Sequence, residues 1–360
     1  MAADEYIRAG MGICCGLDDR YTQNEMYGSI ALSHRMGEYF SFSVASDLAS
    51  THLSANIKSF PTPTRTSAWN NLIIEFIKSH WQLNASLLNT NINDKTVTGT
   101  ASADKNRFTP AFAIGYKPNS ESPFLLRFFY KDIFRMPTFN DLYYTYNMNI
   151  NPKLFPEYSE QYDAGFTYTR NFKSCVSQFN FSADGYYNNI KDKIIAVPAQ
   201  NLFIWTMKNI GKVRITGIDV NVQINGKLSS DLKWSARMAY TLQQALDVTD
   251  PSSSVYKDEI PYTPNQSGSG MTAVYYKIWS AGYSILFSGD RYTLGENDPT
   301  NLLPGWNEQE VFVSVQIPLK NFQTTIKGEV NNIFNQQYDV IHYYPMPGRS
   351  YKLSITINNL

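Results

Sequence analysis

The sequence is poor in charge, poor in cysteine and free of long apolar runs. Only 17% of its 360 residues are charged, against about 25% in ordinary soluble proteins. Its 31 basic residues balance 31 acidic ones, which argues against a dedicated nucleic-acid binder, since such a protein needs a basic patch. The three cysteines make no even disulfide set. No segment approaches the roughly 18 consecutive apolar residues of a transmembrane helix.

Aromatic residues, in contrast, are abundant: the chain contains 25 Tyr and 21 Phe. A transmembrane β-barrel explains this composition, because each strand needs only about 9–11 residues and only every second residue faces lipid. Tyr and Phe are favoured where the apolar belt meets water. The acidic start of the chain does not look like a signal peptide, so we expect the targeting segment of such a protein to be absent from it.

Apolar and polar residues alternate with period two, which is the primary signal of a half-buried strand. Between residues 232 and 242, Leu232, Trp234 and Met238 share one face. This pattern predicts about 16 strands, several of them longer than the usual soluble mode of about 5–6 residues. The predicted spans are 6–16, 27–35, 39–49, 69–79, 81–91, 107–117, 123–133, 160–171, 175–189, 203–224, 231–243, 265–276, 279–290, 308–318, 321–333 and 349–360.

Short and long connections alternate between these strands, as in outer-membrane barrels with tight periplasmic turns and longer outer loops. The architecture of soluble β-sandwiches and β-propellers does not require short and long connections to alternate regularly. The long connections are 17–26, 50–68, 92–106, 134–159, 244–264, 291–307 and 334–348. A charge on the lipid face costs about 2–4 kcal/mol at the midplane, so charged residues in strands are expected to face the lumen. The residues so assigned are Lys233, Arg237, Lys327, Glu329 and Lys352.

Two regions carry denser motifs than the rest. In the first, FRMPTFNDLYY at 134–144 is followed by NPKLFPEYSEQYDAG at 151–165. In the second, VNNIFNQQYD at 330–339 is followed by YPMPGRSYKLSI at 344–355. With 209–219 and 260–264, these segments resemble the C-terminal barrel of TonB-dependent outer-membrane receptors over roughly residues 27–360. The resemblance implies an all-β, transmembrane antiparallel β-barrel, of which the family has about 22 strands.

The same resemblance implies an outer-membrane receptor and transporter for a scarce nutrient, such as an iron-siderophore, haem or cobalamin. No catalytic residue, cofactor or resident metal is expected, and the expected partners are membrane lipid, a large nutrient ligand and the TonB complex. TonB contact would come through a plug domain, which, like the first barrel strands, has no counterpart in 1–360; the whole chain is expected to be one barrel portion, closed or open. A passive, plugless channel is the alternative. An outer-membrane hydrolase has only the loop residues His52 and His342 as candidates.

The aromatic outer loops are the expected ligand contacts. The candidates are Arg135, Asn140, Tyr143, Tyr144, Tyr146, Tyr343 and Tyr344. A second set is expected to end strands and shape loops, because proline cannot donate a ladder hydrogen bond and Gly348 permits a tight start to the last strand. Its members are Phe134, Pro137, Asn151, Pro152, Pro156, Glu157, Asn331, Phe334, Pro347, Gly348 and Arg349. Within it, Glu157 is predicted to pair with Arg135 across neighbouring strands.

Overall fold

The structure, a computed structural model, describes residues 19–119, 121–143, 153–198, 205–320 and 322–359. Strands dominate it, with one short helix, α1 (Phe139–Tyr143), and one 3-10 turn (Pro299–Asn301). Among the described residues, no helix is long and apolar enough to cross a membrane. The strands are β1 Tyr21–Met36, β2 Phe40–Ala55, β3 Pro63–Lys78, β4 Trp81–Thr96, β5 Lys105–Tyr116, β6 Phe124–Arg135, β7 Glu157–Asn171, β8 Val176–Pro198, β9 Trp205–Lys227, β10 Leu232–Asp247, β11 Gln266–Tyr276, β12 Trp279–Ser288, β13 Arg291–Tyr292, β14 Leu302–Leu303, β15 Trp306–Pro318, β16 Phe322–Asn331, β17 Asp339–Ile341, β18 Tyr344–Pro345 and β19 Ser350–Asn359.

Fifteen strands form a single antiparallel sheet in which hydrogen-bonded neighbours follow chain order, from β1 to β12 and then β15, β16 and β19. Each of them corresponds to a predicted strand, which confirms the all-β antiparallel class. The predicted strand 6–16 lies outside the described residues. Alternation was therefore a sufficient signal for every long strand that the structure describes.

The predicted connections differ from the observed ones. The loop predicted at 17–26 is wrong from Tyr21 onward, because β1 already begins there and pairs with β2. Three long connections contain small elements: α1 lies within 134–159, β13 and β14 within 291–307, and β17 and β18 within 334–348. These elements are too short to show a periodicity of their own, so alternation alone did not find them.

The described residues fall into two compact units. The first is drawn from Met1–Ile114, Phe129–Gln161 and Ile190–Gly211. On one face of β1 and β2, the Asp47 carboxylate accepts hydrogen bonds from Tyr27 (2.9 Å) and Ser29 (2.5 Å). On the other face, large apolar side chains are more than half exposed: Ile30, Leu32, Val44 and Leu48. An exposed apolar face opposite a hydrogen-bonded polar face is the pattern of a strand between lipid and water.

The second unit is drawn from Gly115–Phe128, Tyr162–Asn189 and Lys212–Leu360, and its strands separate the two faces in the same way. Arg127 binds the Asp184 carboxylate at 2.5 Å, and Glu329 pairs with Lys327 and, at 3.5 Å, with Lys352. The next residue along β10 after Arg237, Met238, is on the opposite face and 48% exposed. Lys327, Glu329 and Lys352 therefore share one face, as the alternation predicted, and the assignment of that face to the lumen stays a prediction.

Candidate functional site

The connection after β6 is organised around α1. Thr138 and Asp141 cap this helix reciprocally: the Thr138 amide donates to the Asp141 carboxylate (2.8 Å), and the Asp141 amide donates to the Thr138 hydroxyl (3.1 Å). Such a capping box satisfies two amides that a helix N-terminus leaves without partners. Because α1 has only five residues, it still needs tertiary packing to persist.

That packing is an apolar cluster in the first unit. Leu142 is fully buried, Tyr143 is 1% exposed, and both pack with side chains from distant parts of the chain. The Tyr143 ring lies 5.7 Å from Phe139 and 6.5 Å from Phe60, and burial raises the pKa of its hydroxyl. Tyr143 is a predicted ligand contact, but a solute cannot reach it without opening the cluster, so we assign it a packing role. The buried members are Leu53, Phe60, Phe139, Leu142, Tyr143 and Leu154.

Arg65 on β3 fixes the start of this connection. Its guanidinium makes a bidentate contact with the Asp94 carboxylate on β4, at 2.7 and 2.6 Å, and donates to the Pro137 carbonyl at 2.7 Å. The same guanidinium lies 5.0 Å from the centre of the Phe139 ring. One partly buried cation therefore joins two strands to the predicted motif residue Pro137, which is itself fully buried.

The predicted pair between Arg135 and Glu157 is confirmed. Arg135 at the end of β6 contacts the Glu157 carboxylate at 3.5 Å and the Asp141 carboxylate at 3.3 Å. Glu157 also accepts the Ile194 amide at 3.0 Å. These contacts tie β6, β7 and α1 together, which supports a structural role for Arg135; solute contact by its half-exposed side chain stays a prediction.

Other predicted residues of this connection are distributed between core and surface. Pro156 is buried, Phe134 packs on Tyr158 with ring centres 5.6 Å apart, and Asn140 is exposed. Four predicted residues lie outside the described ranges: Tyr144, Tyr146, Asn151 and Pro152.

The second motif region, 332–349, is held by polar groups. Asn332 is 2% exposed; its amide nitrogen donates to the carbonyls of Gln336 (2.9 Å) and Pro347 (3.3 Å), and its oxygen accepts the Gln336 amide (2.8 Å). The backbone of Asn332 is left-handed, with φ of 48°, a conformation that Asn tolerates better than most residues. Sequence analysis selected its neighbour Asn331, whose side chain makes one contact, to the Ser350 hydroxyl (3.3 Å).

A second asparagine, Asn335, holds the backbone just before the last strand. Its side-chain oxygen accepts the Arg349 amide at 2.9 Å, and a Cβ added to Gly348 would lie 2.6 Å from that oxygen. A side chain at position 348 would therefore crowd Asn335, and this close approach supports the predicted role of Gly348 at the start of β19. Phe334, from the same predicted set, is 68% exposed and packs into no core.

The tip of this region displays aromatic side chains. β17 and β18 pair Ile341 with Tyr344, which leaves His342 and Tyr343 as the turn. Tyr343 has a left-handed φ of 68° and is 57% exposed, and Tyr344 is also exposed. A non-glycine residue in this conformation is uncommon, and strained residues cluster at functional sites. Both tyrosines are predicted ligand contacts, and the hairpin presents them to solvent.

A buried arginine that belongs to neither motif holds the hairpin in place. Arg291 is 3% exposed, and its guanidinium donates to the carbonyls of Asp339 (2.6 Å), Val340 (2.9 Å) and Pro304 (3.3 Å). Burial lowers the pKa of Arg291 from its ordinary value. The neighbouring connection is tied in by the Tyr262 amide, which donates to the Tyr292 carbonyl at 2.7 Å.

Tyr338 links this region to the polar face of the sheet. Its hydroxyl donates to the Glu308 carboxylate at 2.5 Å, and its ring stacks on Trp306 with centres 4.6 Å apart. Burial and the contact with Glu308 both raise the pKa of Tyr338. Glu308 in turn lines a cavity of about 770 Å³ with Arg127, Arg237 and Glu310. Loop and cavity wall thus share a hydrogen bond.

A protein-family comparison identifies this architecture. The family described as TonB dependent receptor-like, beta-barrel matches residues 10–333. The chain belongs to the TonB-dependent receptor β-barrel family. Members of this family are outer-membrane transporters and not enzymes.

Individual relatives of the TonB-dependent receptor barrel agree with this assignment. The vitamin B12 transporter BtuB of Photobacterium profundum is 24% identical over 231 residues, covering 62% of this chain and 33% of that protein. The solved structure of the copper transporter OprC superposes with a TM-score of 0.72 and 16% identity, covering 95% of this chain and 57% of that one. For the siderophore receptor PiuA of Acinetobacter baumannii the TM-score is 0.67, the identity 13% and the coverage 94% and 56%. The chain therefore spans between a third and just over half of these relatives.

Within the TonB-dependent receptor barrel, the structure adds residues that the motifs did not single out. Arg65 and Arg291 donate to groups far along the chain, and Asp94 accepts from Arg65, which no local pattern reveals. Asn332 and Asn335 lie inside the second motif, and paired asparagines beside a turn were the available signal. Among the described residues, no group of three or more His, Cys, Asp or Glu is placed to hold a metal ion.

Proposed function

We propose that this chain contributes the solute-binding loops and the polar passage of a nutrient transporter whose solute is an iron-siderophore, haem or cobalamin. The observation that carries the proposal is the contact between Tyr338 and Glu308, because it joins an aromatic-tipped loop to the wall of the cavity. Ligand pockets in proteins have volumes of roughly 300–1,000 Å³, and the cavity lies within that range.

In this proposal, Tyr343 and Tyr344 provide the first contact with the solute. Exposed tyrosines offer flat apolar surface and a polar hydroxyl at small entropic cost, which suits a large ligand with both characters. Arg127 and Arg237 on the polar face then offer charge-assisted hydrogen bonds to carboxylate or phosphate groups of the solute. Contact with the TonB complex is assigned to a plug segment and to none of these residues.

Binding of candidate solutes tests the proposal. The full chain in detergent is titrated calorimetrically with cyanocobalamin, haem and a ferric catecholate siderophore. We expect saturable binding of one of them, weakened about tenfold in the double variant Tyr343→Ala, Tyr344→Ala, since truncating an interface aromatic costs more than about 1 kcal/mol. Phe322→Ala, which removes an exposed aromatic at the opposite end of β16, is the control. Equal affinity of the double variant and the control would contradict the proposed contacts.

A passive channel is the second candidate, favoured by hydroxyl and charged groups on the polar face, such as the Ser280–Ser314 contact at 2.7 Å. Planar-bilayer recordings of the full chain distinguish the two functions. An open, ohmic conductance without saturable solute binding supports the channel, whereas solute binding without steady conductance supports the receptor.

A further inference from the structure

Four short turns of the second unit, those after β7, β9, β11 and β15, repeat one pair of neighbouring residues. Each turn places a large apolar side chain directly beside a lysine, and in each pair the apolar member is at least 40% exposed. The pairs are Phe172 with Lys173, Leu228 with Lys227, Ile278 with Lys277, and Leu319 with Lys320. An apolar side chain exposed to water does not stabilise the fold. Four such pairs in successive turns therefore need another explanation.

These turns form one surface. They connect β7 to β8, β9 to β10, β11 to β12 and β15 to β16, so antiparallel pairing brings them to the same end of the strands. Backbone hydrogen bonds join neighbouring turns: the Lys227 amide donates to the Cys175 carbonyl (3.0 Å), and the Lys277 amide donates to the Asp231 carbonyl (3.2 Å). We call residues 170–175, 227–233, 275–279, 318–320 and 322 the turn surface.

The turn surface is positively charged, and the opposite end of the same unit is not. The turn surface contains six Lys or Arg and one Asp. The long connections 248–265, 289–305 and 332–349 together contain three Lys or Arg and seven Asp or Glu. Within this unit, the turn surface is therefore the basic end of the strands, and the long connections form the acidic end.

Aromatic side chains accompany the basic ones on the turn surface. The Arg170 guanidinium lies 5.4 Å from the Phe172 ring centre, and the Lys277 ammonium lies 5.4 Å from that of Tyr276. Trp279 beside them is 53% exposed. Aromatic rings with adjacent cations are typical of the zone where acyl chains meet phospholipid headgroups.

We propose that the turn surface binds the headgroups of anionic phospholipids in the periplasmic leaflet of the outer membrane. The apolar member of each pair enters the boundary between headgroups and acyl chains, while the lysine beside it contacts a lipid phosphate. Charge complementarity selects anionic over zwitterionic lipid, and the exposed apolar side chains select a bilayer over a soluble anion. This inference does not depend on which solute the protein carries.

Lipid selectivity of the reconstituted full chain tests the inference. Vesicles contain phosphatidylcholine and phosphatidylglycerol, one of them brominated, and quenching of tryptophan fluorescence reports which lipid lies beside the turn surface, where Trp279 is the local reporter. We expect phosphatidylglycerol to be preferred about fivefold at low salt, with the preference declining at high salt because the contacts are electrostatic. The variant with Lys173, Lys227, Lys277 and Lys320 all changed to Gln should show no preference.

A charge-matched control separates the turn surface from overall charge. Changing Lys191, Lys193, Lys208 and Lys212 to Gln removes the same four charges from β8 and β9 outside the turn surface, and it should leave the preference intact. Equal loss in both quadruple variants, or no preference in the unaltered chain, would overturn the inference. The single variant Lys277→Gln, expected to lose part of the preference, serves if the quadruple variant does not fold.

An acidic protein is the other occupant that the charge would fit. Changing Phe172, Leu228, Ile278 and Leu319 to Ser keeps every lysine and should abolish most of the lipid preference. If this variant keeps the full preference for phosphatidylglycerol, or if a polyglutamate peptide displaces the lipid equally from it and from the unaltered chain, the apolar residues play no part and the proposed bilayer contact is wrong.

Discussion

The connection after β6 and the connection after β16 carry the two strongest motifs of the sequence, yet they are held by different forces. The first places Phe139, Leu142 and Tyr143 in an apolar cluster, where all three side chains are buried. The second is held by the amide of Asn332 and the guanidinium of Arg291, and it displays Tyr343 and Tyr344. We call Asn332 and Arg291 the polar anchor, and the apolar cluster around Leu142 the apolar anchor. Hydrogen bonds to backbone carbonyls hold a loop in place while its apolar side chains stay exposed, so the polar anchor suits a loop that binds a ligand.

Leu142→Ala is expected to have the largest effect, because it empties a fully buried site in the apolar anchor. The cost should be about 2–5 kcal/mol of unfolding free energy, measured by urea titration in detergent. Phe155→Ala is the matched control, since Phe155 lies in the same connection and is 62% exposed. A similar cost for both variants would show that the cluster does not anchor the connection.

Arg291→Met should destabilise the polar anchor without affecting the apolar anchor. Losing the guanidinium deprives three carbonyls of a donor, at about 1–3 kcal/mol for a buried group without a partner. Hydrogen exchange should accelerate in 332–349 and stay unchanged in α1. Accelerated exchange in both regions would remove the distinction between the two anchors. Arg291→Lys keeps the charge but loses the planar arrangement of donors. Its exchange rate in 332–349 should lie between those of the unaltered chain and Arg291→Met.

Substitutions of Asn332 sharpen the account of the polar anchor. Asn332→Ala should cost about 1–2 kcal/mol, because it loses all three side-chain hydrogen bonds and strains the left-handed backbone. Asn332→Gly removes the same bonds but relieves the backbone, so it should cost less by a few tenths to one kcal/mol. Thermal unfolding of the pair measures the difference. If glycine is the worse substitution, backbone conformation has no share in the anchor.

A smaller, pH-dependent effect is expected at Tyr338. The pKa of this phenol is raised by burial and by Glu308, so the folded state favours the protonated form. The stabilisation is complete below the unfolded pKa of about 10 and is lost as the pH rises through the folded value. In Tyr338→Phe, the free energy of unfolding should decline less as the pH rises, which urea titrations at a series of alkaline pH values would measure. An unchanged alkaline slope would indicate that Tyr338 is not the titrating group.

The sequence was sufficient for the long strands but not for what fixes the loops. In β10, alternation over eleven residues placed Arg237 and Met238 on opposite faces, because strand geometry alone determines that outcome. The pair of Arg135 and Glu157 was also predictable, since both residues end adjacent strands. Arg65 and Pro137, in contrast, are 72 positions apart, and only the folded chain brings them together. The hairpin of β17 and β18 was not predicted, because it is held by hydrogen bonds from Arg291, which lies outside it in the sequence.

The central claim is that the sheet has a lipid-facing and a water-facing side, the latter bearing the groups that meet the solute. Thiol labelling of Arg237→Cys and Met238→Cys tests it directly, in a background where Cys14, Cys15 and Cys175 are serine and the chain is reconstituted in vesicles. A water-borne maleimide should modify the cysteine at position 237 rapidly and the one at 238 at least about tenfold more slowly, because β10 turns adjacent side chains to opposite faces. Faster labelling at 238, or equal rates at both positions, would contradict the account.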